Sequence, residues 1–152
     1  YAVKMGGGEN HRLNLADGIL IKDNHIAILK DSNMNLSDIV NISRQNTITP
    51  NKIEIEVTNL SQLEDALLGK PDIILLDNMS IEDMRKSVKI VNGKLLLEAS
   101  GNVTLENIAS IAETGVDLIS VGALTHSSKA LDISLDLLRY EDNFSSSGIY
   151  RY

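Results

Sequence analysis

The stretch KIEIEVTNLSQLEDALLGKPDIILLDN, Lys52–Asn78, decides the fold. Two short apolar runs within it each stop at a carboxylate, at Glu56 and at Asp77, 21 residues apart. Working outward, LLLE stops at Glu98 after a further 21 residues and DLISVG stops at Gly122 after 24. Each interval holds one loop, one helix, a second loop and one strand, which is the repeating unit of a parallel sheet. In barrels built from such units the chemistry sits at the carboxyl ends of the strands. The expected fold is therefore α/β: an incomplete (βα) barrel of the TIM type, with parallel strands inside and helices outside.

Upstream, DGILIKDNH supplies a first strand at Ile19–Lys22, and YAVKM reads as the tail of an element cut short before Gly6, Gly7 and Gly8. The other strands are expected at Ile53–Val57, Ile73–Asp77, Leu95–Ala99 and Leu118–Val121. Helices are expected at Leu36–Gln45 with Asn35 or Ser37 near the cap, and at Ser61–Leu68 closed by Gly69 and stopped by Pro71. A third is expected at Ile81–Val91 behind Ser80, and a fourth from a Thr104 cap to Gly115. Ala130–Leu138 is apolar at helical spacing. The expected domain is 1–138. From 139 to 152 the composition turns to Tyr, Ser, Asn and Gly, and a loosely attached tail is expected.

The 152 residues suit one domain, and 43% hydrophobic content suffices for a core. No apolar run reaches the length of a membrane span. The net charge of −7 argues against a nucleic-acid partner. The chain has no cysteine, which excludes disulfides and thiolate chemistry and fits the cytoplasm. It opens on Tyr1 without an initiator methionine or secretory signal and reads as an internal fragment or a truncated chain.

Side-chain alternation sharpens the strand reading. Glu54 and Glu56 share one face of the second strand; Asp77 shares a face with Ile73 and Leu75, and Glu98 with Leu96. Carboxylates between packed layers need a cation, a metal or a polar ligand. Structural salt bridges account for Glu54 and Glu98, but less well for Glu56 and Asp77, which end successive strands. Hard oxygens there suit Mg²⁺ carried on a phosphorylated substrate, or electrostatic stabilisation of developing positive charge. Against this acidic background His11, Arg12 and Lys22 gather imidazole, guanidinium and ammonium within twelve positions. Arg grips a carboxylate or phosphate through two parallel hydrogen bonds. Ser100 and Gly101, with Gly122 and Ala123, can offer backbone N–H groups to a phosphate after the last two strands. A helix starting near Thr104 would add its dipole. His25 reads as structural; His126 reads equally as a phosphate contact or a surface cap.

The motifs GGGENHRLNLADGILIKDNHI, IEIEV, IILLDNM, LLLEASGNVTLENI and AETGVDLISVGALTHS, in that order and spacing, resemble the quinolinate phosphoribosyltransferase family. The resemblance runs from Tyr1 to about Leu138. It implies transfer of phosphoribosyl from phosphoribosyl pyrophosphate to quinolinate with decarboxylation. The products are nicotinate mononucleotide, carbon dioxide and pyrophosphate, and Mg²⁺ accompanies the reaction. By position, His11, Arg12 and Lys22 match the quinolinate-binding cations, Lys22 also being a candidate catalytic residue. Glu56 and Asp77 match the carboxylates near ribose and metal. Ser100, Gly101, Gly122 and Ala123 match the phosphate loops.

The resemblance also implies a homodimer or higher oligomer with shared active sites, and an amino-terminal sandwich domain absent here. A Thr-Arg-Lys segment with two further cations and the first barrel strand would precede Tyr1. The chain alone is accordingly expected to be inactive. The alternatives are a related phosphoribosyltransferase-like protein of molybdenum-transport or nicotinate type, and a noncatalytic phosphate-binding barrel fragment.

Overall fold

In the computed structural model, residues 1–14, 16–30, 34–47, 51–127, 129–130 and 133–135 are described. Five strands form a parallel sheet in chain order: β1 (Ile19–Ile21), β2 (Ile53–Val57), β3 (Ile73–Asp77), β4 (Leu96–Ser100) and β5 (Leu118–Ile119). Between them run α2 (Asp23–Lys30), α3 (Leu36–Gln45), α4 (Leu60–Leu68), α5 (Ile81–Val91) and α6 (Ile108–Ala112). Single turns α1 (Ala2–Met5) and α7 (Ala123–His126) flank the sheet. The expected parallel (βα) architecture is what forms.

Register divides the sheet into two chemically different faces. Ile53, Ile55 and Val57 align with Ile19, Ile21, Ile74 and Leu76, and these with Leu97, Ala99 and Ile119. This face carries the core: Ile55, Val57, Ile74 and Leu76 have no exposed surface. Leu36, Ile39 and Val40 of α3, Leu63 and Ala66 of α4, and Met84 and Val91 of α5 pack on it. The opposite face rises in rows across the strands. Leu20, Glu54, Ile73 and Leu96 form the first row, Glu56, Leu75, Glu98 and Leu118 the second, Asp77 and Ser100 the third. Leu96 and Leu118 there are 39% and 38% exposed, so no helix among the described residues closes over them.

Aspartates just before strands tie neighbouring strands at their amino ends. Asp72 accepts from the Ile53 N–H and Asp117 from the Leu97 N–H, each at 2.8 Å. Asn35 caps α3 in a reciprocal box with Asp38, and Ser80 caps α5 through the Asp83 N–H.

Several sequence expectations need correction. β1 stops at Ile21, one residue before Lys22, and β5 covers only two residues. β4 is shifted one residue along, from Leu95–Ala99 to Leu96–Ser100. Gly69 does close α4, but at φ −76° rather than in the left-handed region. Its role is close approach, because a Cβ there would stand 2.8 Å from Val40 Cβ and 2.9 Å from Ser37 Cα. Thr104 does not cap α6. Its N–H donates to Asn107 Oδ1, a turn follows, and the helix begins at Ile108. The helical reading of 130–138 fails where it can be checked, since 130 and 133–135 are in no helix. Its remaining positions, with the 139–152 tail, lie outside the described residues.

Candidate active site

The polar face of the sheet floors a cleft of about 1000 Å³. His11, Arg12, Glu54, Glu98, Ser120 and Gly122 line it. Neighbouring strands run about 5 Å apart, so β2 and β4, with β3 between them, would stand roughly 10 Å apart in a flat sheet. Yet one donor atom each from His11, Glu54 and Glu98 lie within 4.8 Å of one another. Long side chains on the inner face bring them together. His11 Nε2 stands 3.1 Å from Glu54 Oε2 and 3.5 Å from Glu98 Oε1. Ser120 Oγ donates to Glu98 Oε1.

Glu54 and Glu98 are 6% and 3% exposed, so His11 stands at the mouth of a buried acidic pair. Burial first, then the Glu98 charge, pushes the Glu54 carboxyl above its usual range, while His11 and Arg12 hold it back. His11 is the side chain that meets both Glu54 and Glu98, and this contact places both carboxylates within the cleft. Sequence reasoning named neither as a site residue, although both share a face with Glu56. Two buried carboxylates and an imidazole this close together could also hold a divalent cation.

Glu56 and Asp77 stand higher, at the carboxyl ends of β2 and β3. Burial and the Asp77 charge push the Glu56 carboxyl up; Lys22 pulls it down and Asp23 adds to the rise. Lys22 follows β1, and its N–H donates to His25 Nδ1 at 3.0 Å, which gives His25 its structural role. Glu56, Asp77 and Lys22 do not line this cleft but continue its face toward the strand ends. Ser100 pairs with Asp77 in register, so the Ser100–Gly101 loop adjoins the carboxylates. Gly101 has φ +90°, where a Cβ is disfavoured. Gly122 lines the cleft and leads into α7, whose first residue is Ala123. His126 ends that turn, and its Cδ2 would lie 3.9 Å from a Cβ at Gly122.

α6 starts at Ile108 rather than near Thr104, and Asn107 just before it donates from Nδ2 to the Asn102 carbonyl. Ser120 lines the cleft, and Asn78, Asn102 and Asn107 link the chain segments after β3 and β4; residue type alone singles out none of them. Asn is common in loops, and only the register reveals which loops meet.

The profile of the quinolinate phosphoribosyl transferase C-terminal domain family matches residues 1–136. The chain belongs to the quinolinate phosphoribosyltransferase family. A probable nicotinate-nucleotide pyrophosphorylase (carboxylating) of Methanocaldococcus jannaschii is 43% identical over 148 residues. That alignment covers 93% of this chain and 50% of the relative. The corresponding Bacillus subtilis protein is 42% identical, over 90% of this chain and 46% of its own length. Among solved structures, NadC from Streptococcus pyogenes superposes with a TM-score of 0.80 at 39% identity. It covers 93% of this chain and 48% of that one. Nicotinate-nucleotide pyrophosphorylase from Ehrlichia chaffeensis gives 0.75 at 50% identity, over 84% and 44%. The chain thus spans about half the length of the relatives it matches. Likeness to a thiamine phosphate pyrophosphorylase of Pyrococcus furiosus, at 20% identity and a TM-score of 0.52, concerns the fold alone.

Proposed function

We propose that the protein carrying this chain transfers phosphoribosyl from phosphoribosyl pyrophosphate to quinolinate and decarboxylates the adduct. Nicotinate mononucleotide, carbon dioxide and pyrophosphate are the products. The observation that carries this reading is the division of one sheet face into two adjoining sectors. One offers His11 and Arg12 in the cleft; the other offers Glu56, Asp77 and the Ser100–Gly101 loop at the strand ends. A dianionic pyridine suits the first and a phosphorylated ribose the second.

In this reading Arg12 and His11 hold the quinolinate carboxylates, with Lys22 between the two sectors. Arg12 supplies a planar fork of donors, and Glu54 and Glu98 fix the imidazole of His11. Ser100, Gly101, Gly122 and Ala123 receive the 5-phosphate. The bond from ribose C1 to the pyrophosphate oxygen breaks, and its electron pair leaves with pyrophosphate. Glu56 and Asp77 stabilise the positive charge that develops at C1. The pyridine nitrogen donates its pair to C1. The bond from the ring to its 2-carboxylate then breaks, carbon dioxide departs, and the electrons remain at C2 beside the positive ring nitrogen until a proton is taken up.

Glu56 and Asp77 are also the residues that would hold Mg²⁺ with the pyrophosphate. Burial first, and then the Asp77 charge, raises the Glu56 pKa, and the second of these is what a hard cation would relieve. When bound, the ion would neutralise charge on the leaving group. The same reading includes a cytoplasmic location and a homodimer or higher homo-oligomer. Sedimentation of the full polypeptide checks the assembly.

The direct test is to supply the full polypeptide with phosphoribosyl pyrophosphate and carboxyl-labelled quinolinate. Equal amounts of nicotinate mononucleotide and labelled carbon dioxide are expected. Product from nicotinate but none from quinolinate would transfer the reading to the nicotinate-specific alternative.

A further inference from the structure

At the carboxyl ends of β3 and β4 three asparagine side chains meet, and the reaction as derived uses none of them. Asn78 follows Asp77 with φ 51°, and Asn102 follows Gly101 with φ 49°. Asn tolerates this left-handed conformation better than other non-glycine residues. The Asn78 N–H donates to the Ser100 carbonyl at 2.9 Å, extending the sheet ladder by one bond. Its side chain then crosses the neighbouring loop. Asn102 Nδ2 donates to Asn78 Oδ1 at 2.9 Å, and Asn78 Nδ2 donates to Asp77 Oδ1 at 3.0 Å. Behind Asn102, Asn107 Nδ2 donates to its carbonyl at 2.9 Å, while the Thr104 N–H donates to Asn107 Oδ1 at 2.8 Å. A Cβ at Gly101 would fall on the Asn78 amide, so only glycine leaves room for the crossing.

The direction of these bonds is fixed by chemistry. Asn78 must offer its oxygen to Asn102 and its NH₂ to the Asp77 carboxylate. Reversing it would set two NH₂ groups together and an oxygen against a carboxylate. Asn78 and Asn102 are both exposed, where a hydrogen bond contributes only about 0.5–1.5 kcal/mol net. Stability is therefore a poor account of three linked amides. Geometry is a better one, because the relay joins the carboxylate at the end of β3 to the loop after β4.

We propose that Asn78 and Asn102 are positioning residues that orient the Asp77 carboxylate and set its distance from the Ser100–Gly101 phosphate loop. This rests on the reading of function given above. A ribose 5-phosphate has a fixed span between its phosphate and C1, and the relay fixes the matching span in the protein. One Asp77 oxygen is engaged by Asn78, which orients the other toward the ribose.

The test uses the full polypeptide and two variants that suit the backbone differently. Asn102→Gly keeps the left-handed turn and removes the amide. Asn102→Asp puts an acceptor where Asn78 needs a donor, and turns Asn78 against Asp77. Turnover should fall roughly tenfold to a hundredfold in Asn102→Gly and further in Asn102→Asp, with the quinolinate KM little changed. In an Asp77→Asn background the Asn102→Gly loss should disappear, because both act through one carboxylate. An equal loss in both backgrounds would overturn the proposal. The second readout needs no turnover. The carbon resonance of the Asp77 carboxylate should move in Asn102→Gly, and an unmoved resonance overturns the relay. If the unsubstituted polypeptide makes no nicotinate mononucleotide, the functional reading falls, while the resonance still decides the relay.

Discussion

Glu54 stands 6% exposed beside Glu98, and His11 offsets only part of its burial. Its folded pKa is therefore raised, so the folded state holds its proton more tightly than the unfolded chain. The stability gained from that proton is complete below the ordinary value of 4.5 and is lost as pH rises through the folded value. Glu54→Gln has no such loss. Its stability relative to the unsubstituted protein should increase as pH rises from about 4.5 toward neutrality, as read by chemical denaturation. A constant difference across that range would mean that Glu54 titrates alike in both states. Arg12 gives the matching test of binding. Arg12→Lys keeps the charge and loses the fork, and charge-assisted bonds of this kind are worth about 1.5–3 kcal/mol each. The quinolinate KM should rise at least tenfold; an unchanged value would assign Arg12 to structure. At this scale the sequence revealed His11, Arg12, Glu56 and Asp77 by residue type and parity. It could not show that His11 reaches Glu54 and Glu98, because that contact spans 43 residues to Glu54 and depends on how side chains converge on the inner face.

Among the elements, α3 and α5 were legible to the residue because their caps are local. Asn35 and Ser80 each bond an N–H three positions on. β2 and β3 have the expected bounds, whereas those of β1, β4 and β5 differ by a residue or more because pairing, rather than apolar content, sets where a strand stops. α2 escaped notice since Asp23, Asn24 and His25 open it with polar side chains. α6 starts late because Asn107 binds the Thr104 N–H and so holds a turn ahead of it. Gly69 illustrates a different limit. Its identity looked like a stop signal, whereas the packing of α4 against α3 requires it. Gly69→Ala would force a methyl group onto Val40 and the Ser37 backbone. A destabilisation of about 1–3 kcal/mol is expected from such overpacking, measured in urea. A loss of less than about 0.5 kcal/mol, typical of uncrowded surface changes, would show that the two helices can separate at little cost.

Taken whole, the sheet has one face sealed by helices and one bearing the cleft, with β1 and β5 at its edges. The parallel order was legible because βα spacing and strand-end polarity recur four times. What covers the cleft was not, since this chain spans about half of each relative it matches. An exposed parallel edge and partly apolar inner residues such as Leu96 and Leu118 favour association. The 152 residues alone are expected to self-associate and to form no nicotinate mononucleotide. Turnover from a monodisperse monomer of this length would refute that expectation.

The central claim is that one sheet face holds two substrates in two adjoining sectors. Steady-state kinetics of the full polypeptide, with each substrate varied separately for Arg12→Lys and Asp77→Asn, tests it most directly. The account predicts that Arg12→Lys raises the quinolinate KM with little change in kcat. Asp77→Asn should lower kcat by at least a hundredfold at nearly unchanged quinolinate KM, because its charge acts where positive charge develops. Two variants that impair quinolinate binding and turnover in the same proportion would contradict the division of the site.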